Sequence, residues 1–178
     1  MTMGTNRIVL AARPYYDEGD HRHIAARVAA MMVNHPSGSM LEEHLAVEGI
    51  SATSAHSTID SIGGRNVMLI EYRANTACAP VEITDRTRAA IAHVGRMDFS
   101  DYTLARAKSC AQSLLDINVS GLPQFVDAIC GFVARYGRVD VIDDYRRLLD
   151  TVDRGMVAAV IADLYDGDAF VIDQVEEE

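Results

Sequence analysis

The densest group of side chains able to do chemistry is Asp17-Glu18-Gly19-Asp20-His21-Arg22-His23. Carboxylates and imidazoles are the groups that hold divalent metals and move protons near neutral pH, and the end of a strand is where an α/β protein brings such groups to a substrate. Asp17, Asp20 and His21 are therefore candidate catalytic residues of a small metal-dependent hydrolase or transferase. The spacing limits the idea. Two residues apart at a helix start, His21 and His23 project roughly 200° from each other and cannot share one ion. A first helical turn with acids set against the helix dipole and solvated histidines accounts for the same residues.

A second constellation is His35, His44 and His56, with Glu42, Glu43 and Asp60 near in sequence and Ser54 or Ser57 as nucleophile. Nothing in the spacing fixes these together. The chain has no G-x-S-x-G, no H-E-x-x-H and no phosphate loop, so neither a metal nor a cofactor is expected. Cys78, Cys110 and Cys130 are odd in number and far apart, which argues against disulfides and zinc knuckles. Asp163 interrupts an otherwise apolar helix, where a desolvated carboxyl would serve as a general acid and an exposed or arginine-paired one would not.

Charge is the one global asymmetry. Of the net −10, nearly all lies after residue 96, where sixteen acidic side chains face seven basic ones. Asp140, Asp143 and Asp144 stand at i, i+3 and i+4, and Asp150, Asp153, Asp163, Asp166 and Asp168 continue the series. Helical carboxylates at that spacing sit about 5–6 Å apart, close to the spacing of phosphates on a nucleic-acid strand. This pattern supports a non-enzymatic acidic inhibitor or modulator. Those eight aspartates would form its partner-binding surface, against a cationic protein that itself binds nucleic acid. Such a field repels nucleic acid and anionic membrane. Asp143 can pair with Arg146 or Arg147, Arg146 with Asp150, and Asp150 with Arg154, which cancels the field locally. Besides the hydrolase, a self-associating structural subunit is the remaining alternative, since helical stripes do not distinguish internal burial from a dimer seam.

The elements that must carry these groups read as α+β. Strands are expected near 7–13, 66–73 and 169–175, with an exposed strand or a long loop over 50–60, and Gly63-Gly64 as a hairpin turn. Together they make a small, mostly antiparallel sheet beside a C-terminal array of about five helices. One domain over 1–178 is expected, with an α/β part at 1–83, a helical part at 84–168 and a strand at 169–175 that returns to the sheet. Helices are expected at 20–34, 40–47, 84–94, 98–117, 120–136, 140–152 and 154–165, and a short strand at 81–83. Helix 120–136 should turn Leu122, Phe125, Val126, Ile129, Phe132, Val133 and Tyr136 inward. Helix 154–165, R-G-M-V-A-A-V-I-A-D-L-Y, lacks a polar face and is expected at the centre. With no run of ~18 apolar residues and only Ile8–Ala12 apolar near the start, a cytoplasmic location is expected.

Overall fold

The computed structural model describes residues 6–12, 21–33, 40–62, 65–75, 80–96, 99–166 and 171–176. In chain order the elements are β1 (Asn6–Ala12), α1 (His21–Val33), α2 (Met40–Val47), β2 (Ser51–Ile62), β3 (Arg65–Asn75), α3 (Pro80–Arg96), α4 (Asp101–Val119), α5 (Leu122–Tyr136), α6 (Val141–Thr151), α7 (Arg154–Asp166) and β4 (Val171–Glu176). The molecule is α+β and mostly helical.

Strands run in the order β2-β3-β1-β4, each antiparallel to its neighbour. Strand β3 explains which face is covered: Met68, Ile70 and Tyr72 are buried while Val67, Leu69 and Glu71 between them are partly open, the period of 2 expected of a half-covered sheet. Ile8 lies opposite Tyr72, and Leu10 lies opposite both Ile70 and Ile172, so the central strand ties the hairpin to the C-terminal strand. The serine-rich stretch is strand β2, which pairs along its length with β3 apart from a register shift between Thr53 and His56. Hydroxylated β-branched residues suit an edge position, where one side of the strand stays open.

At the centre stands α1, not the helix over 154–165. Ile24, Ala25, Ala26, Val28, Ala29, Ala30, Met32 and Val33 are all buried, and α1 touches β2, β3, α2, α4, α6 and α7. Four alanines let neighbours approach from several sides, and Ile24, Val28 and Met32 fill what remains. Helix α7 buries Val157, Val160 and Ile161 but exposes Ala159, Ala162 and Asp163. Alanine is tolerated on either side of a helix, so an alanine face does not mark burial.

Three further expectations change. Residues 81–83 open α3 rather than forming a strand, because Pro80 has the fixed φ that suits the first helical turn. Gly95 does not end α3; it lets α3 approach α7, for a Cβ there would stand 2.9 Å from Ile161 Cγ2. The stripe of α5 does not face inward: Leu122, Phe125, Val126 and Val133 are exposed, since α5 packs chiefly on α4. Gly137 does close α5, at φ 66°, with its N–H donated to the Val133 carbonyl. Helix α4 is capped by Ser100, whose Oγ accepts the Thr103 N–H at 3.1 Å. Leu104, Ala107, Ala111 and Leu115 form its buried face. No described helix is long and apolar enough to cross a membrane.

Candidate functional site

The side chains with the best claim to a site lie where α2 meets α3. Helix α2 reads Met40-Leu41-Glu42-Glu43-His44-Leu45-Ala46-Val47. Leu41 and Leu45 are buried, which fixes the helix face, while Met40 and His44, one turn apart, form an adjoining row. Met40 packs against the core. The His44 ring meets the exposed His93 ring of α3 with centroids 4.5 Å apart and planes tilted by 32°. Burial holds the His44 imidazole below its usual pKa, the His93 ring adds to that, and the Glu43 carboxylate opposes both. His44 is therefore mostly neutral at pH 7.

The exit of α2 is tied to the same neighbour. The Gly49 N–H is donated to the Ala46 carbonyl at 3.0 Å and the Ile50 N–H to the Leu45 carbonyl at 2.8 Å, with Gly49 at φ 79°. Arg86 of α3 donates to the Glu48 carbonyl and pairs with Glu82 one turn earlier. A Cβ on Gly49 would come within 2.9 Å of the Arg86 guanidinium, so glycine serves both the backbone and the close approach.

Inverted zinc-peptidase helices carry H-x-x-E-H: two histidines at i and i+4 ligate the metal and the glutamate supplies the base. Glu43 and His44 stand at the last two places of that spacing, and Met40 stands at the first. A catalytic zinc takes three protein ligands drawn from histidine, carboxylate and cysteine thiolate, and a thioether is a soft donor that zinc sites rarely use. Among the described residues no three His, Cys, Asp or Glu side chains are grouped to hold a metal. The residues here do not fit a catalytic zinc.

Of the residues singled out by sequence, Asp17 and Asp20 lie outside the described residues, as does the side chain of His21, which opens α1. His23 is not solvated: it is buried, and its Nε2 accepts the Arg27 Nε–H at 3.1 Å. His35 lies outside the described residues, and His56 sits on β2 opposite Glu71. Among the described histidines of the second constellation, His44 is the one in the α2–α3 cluster, with Glu42 and Glu43 on the same helix. Its partner His93 stands on α3, with the β2–β3 hairpin and the first turns of α3 between it and α2, so no local spacing joins the two. The signal available was Glu43-His44 on an amphipathic helix, one histidine short of the inverted motif.

On the acidic surface, Asp140, Asp143 and Asp144 stand beside arginines. Arg138 donates to both oxygens of Asp140, at 2.9 and 2.6 Å, and to Asp144 at 2.9 Å; Arg147 also pairs with Asp144. The Arg138 guanidinium holds the Asp140 carboxyl below the usual range. Arg146 lies 2.8 Å from Asp116 and 4.0 Å from Asp143. Asp153 caps α7 by accepting the Met156 N–H at 2.8 Å, and the Asp150 carbonyl accepts Lys108 at 2.9 Å. Asp163 is exposed on α7, the Asp166 side chain is not among those described, and Asp168 lies outside the described residues. Arg138 just before α6 and Arg146 and Arg147 on α6 thus lie against Asp140, Asp143 and Asp144, the residues whose spacing resembles that of phosphates.

No family model and no curated protein matches the chain. Solved structures do. A Bordetella pertussis Tohama I protein described as a "putative zinc protease" superposes with TM-score 0.83 at 12% identity, covering 99% of this chain and 96% of that one. The "inactive peptidase domain" of a like-named Bordetella parapertussis protein gives 0.84 at 11%, covering 100% and 94%. The peptidase M16 inactive domain from Pseudomonas fluorescens gives 0.70 at 14%, covering 96% of this chain and 40% of that one. These likenesses replace the acidic-inhibitor reading: the aspartates sit on a fold like that of solved structures described as inactive peptidase domains.

Proposed function

We propose that this chain is a non-catalytic peptidase-fold domain of the M16-like kind, whose role is to pair with a peptidase domain that carries the complete metal motif. The observation that carries this reading is the spacing Met40-x-x-Glu43-His44 on α2, one histidine fewer than H-x-x-E-H. A glutamate and one imidazole can hold and move a proton, but without three ligands they do not activate a metal-bound water. The like-folded domains described as inactive agree with this division of labour.

The test is direct. The purified chain, supplied with one equivalent of zinc, is expected to hydrolyse no peptide from an unbiased library, and Glu43→Gln is expected to change nothing. Hydrolysis that needs zinc and disappears in Glu43→Gln overturns the proposal.

A further inference from the structure

Two imidazoles from different helices meet where α2 packs on α3. The rings of His44 and His93 have centroids 4.5 Å apart and planes tilted by 32°. Imidazole nitrogen suits copper, nickel and zinc, and metal–nitrogen bonds of about 2.0–2.1 Å put two rings in neighbouring positions on one ion with centroids about 4.5–5 Å apart. The observed separation lies in that range, so turning the rings, rather than moving the helices, brings a nitrogen of each to one ion. Both helices are held in place independently of any ion: Leu41 and Leu45 bury one face of α2, and Arg86 of α3 donates to the Glu48 carbonyl at the end of α2. Ligands fixed beforehand lose little freedom on binding. His93 is exposed and His44 half-buried, so solvent reaches the pair. Burial keeps His44 mostly neutral at pH 7, the form in which imidazole ligates a metal, and the neighbouring Glu43 carboxylate favours a cation.

We propose that His44 and His93 together bind one divalent copper ion, which fastens α2 to α3 without supporting hydrolysis. Copper heads the affinity order of the divalent first-row metals, and two neighbouring imidazoles with oxygen ligands match its tetragonal geometry. Among the described residues no third His, Cys, Asp or Glu side chain joins the group, so water completes the coordination. The site differs from H-x-x-E-H: its second histidine comes from α3, and it uses two protein ligands where a catalytic zinc takes three. It stands whether or not the chain pairs with a peptidase domain.

The experiment titrates the full chain with copper(II) chloride in a weakly coordinating neutral buffer and reads the heat of binding and the electron paramagnetic resonance spectrum. One equivalent is expected to bind with a Kd of about 10 µM or tighter, and the spectrum should show hyperfine coupling to two imidazole nitrogens. His93→Asn changes an exposed ring, so circular dichroism should stay unaltered while binding weakens and one coupled nitrogen is lost. The weakening should be at least about tenfold, because even outer-shell partners of a ligand are worth about 10–100-fold in metal affinity. His44→Gln should act alike, and His56→Gln on β2 should change neither readout. Copper should also raise the urea midpoint of the wild type and of neither ligand variant. No binding at about 10 µM, an affinity or nitrogen count that His93→Asn leaves unchanged, or copper lost in His56→Gln instead overturns the site.

Discussion

The contact between Gly95 and Ile161 holds α3 against α7, and its energetics can be worked from the geometry. Gly95→Ala alone gains about 1 kcal/mol in helix propensity. The new methyl would meet Ile161 Cγ2 at 2.9 Å, well inside the ~3.5–4.0 Å of a favourable carbon pair, and overpacking of this kind costs about 1–3 kcal/mol. The net is a loss of roughly 0–2 kcal/mol. Ile161→Ala alone removes that Cγ2 from a buried site and should cost about 2–5 kcal/mol through the cavity it leaves. In the double variant the added methyl enters the space vacated, so the combined loss falls short of the sum by about 1 kcal/mol or more. Urea unfolding of the four proteins at equal slope measures this coupling. Additivity within ~0.5 kcal/mol would mean that Gly95 and Ile161 do not touch, and the packing of α3 on α7 would need another explanation.

Three more outcomes follow from the same structure. Because the folded state holds His44 below its unfolded pKa, the stability due to its neutral form is fully present above pH 6.5 and is lost as pH falls below that value; unfolding free energy of wild type minus His44→Gln, followed from pH 7.5 to 5, should decline, and a flat difference refutes the burial of His44. Burial pushes the Tyr72 hydroxyl up to about 12, so its contribution holds below pH 10 and is lost between 10 and 12; burial raises the Tyr145 hydroxyl as well, and ultraviolet titration of the tyrosinates should show late-ionising groups of which Tyr72→Phe removes one. Thr87 donates to the Ile83 carbonyl at 2.7 Å and so accepts from Tyr72; Thr87→Val strands the buried phenol and should cost about 1–3 kcal/mol, more than Tyr72→Phe at about 1, and the reverse order in urea unfolding would refute that direction of donation.

How far the sequence revealed the protein depended on which residues carried the pattern. Asn66–Arg73 alternates large apolar side chains with polar ones near its end, and the structure has β3 there with Met68, Ile70 and Tyr72 inward. Helix ends marked by glycine after a long stripe, as at Gly137, were also legible, because a positive φ has few substitutes. The centre of the molecule was not. Both α1 and α7 are rich in alanine, and alanine carries no information about which side meets the core. What distinguishes α1 is its neighbours on six sides, a tertiary fact. The α5 stripe misled for a related reason: periodicity shows that a helix has an apolar face, not whether its own chain or another covers it.

The site was hidden differently. An H-x-x-E-H pattern with one histidine changed has little left to recognise: Glu43-His44 occurs in a helix that Leu41, Leu45 and Met40 would form for packing alone. Met40 and His44, one turn apart on α2, meet different surroundings: Met40 packs against the core and His44 meets the His93 ring of α3. A flexible thioether packs where an imidazole would have to find a hydrogen bond or a metal, which lets α2 sit against the core without an ion.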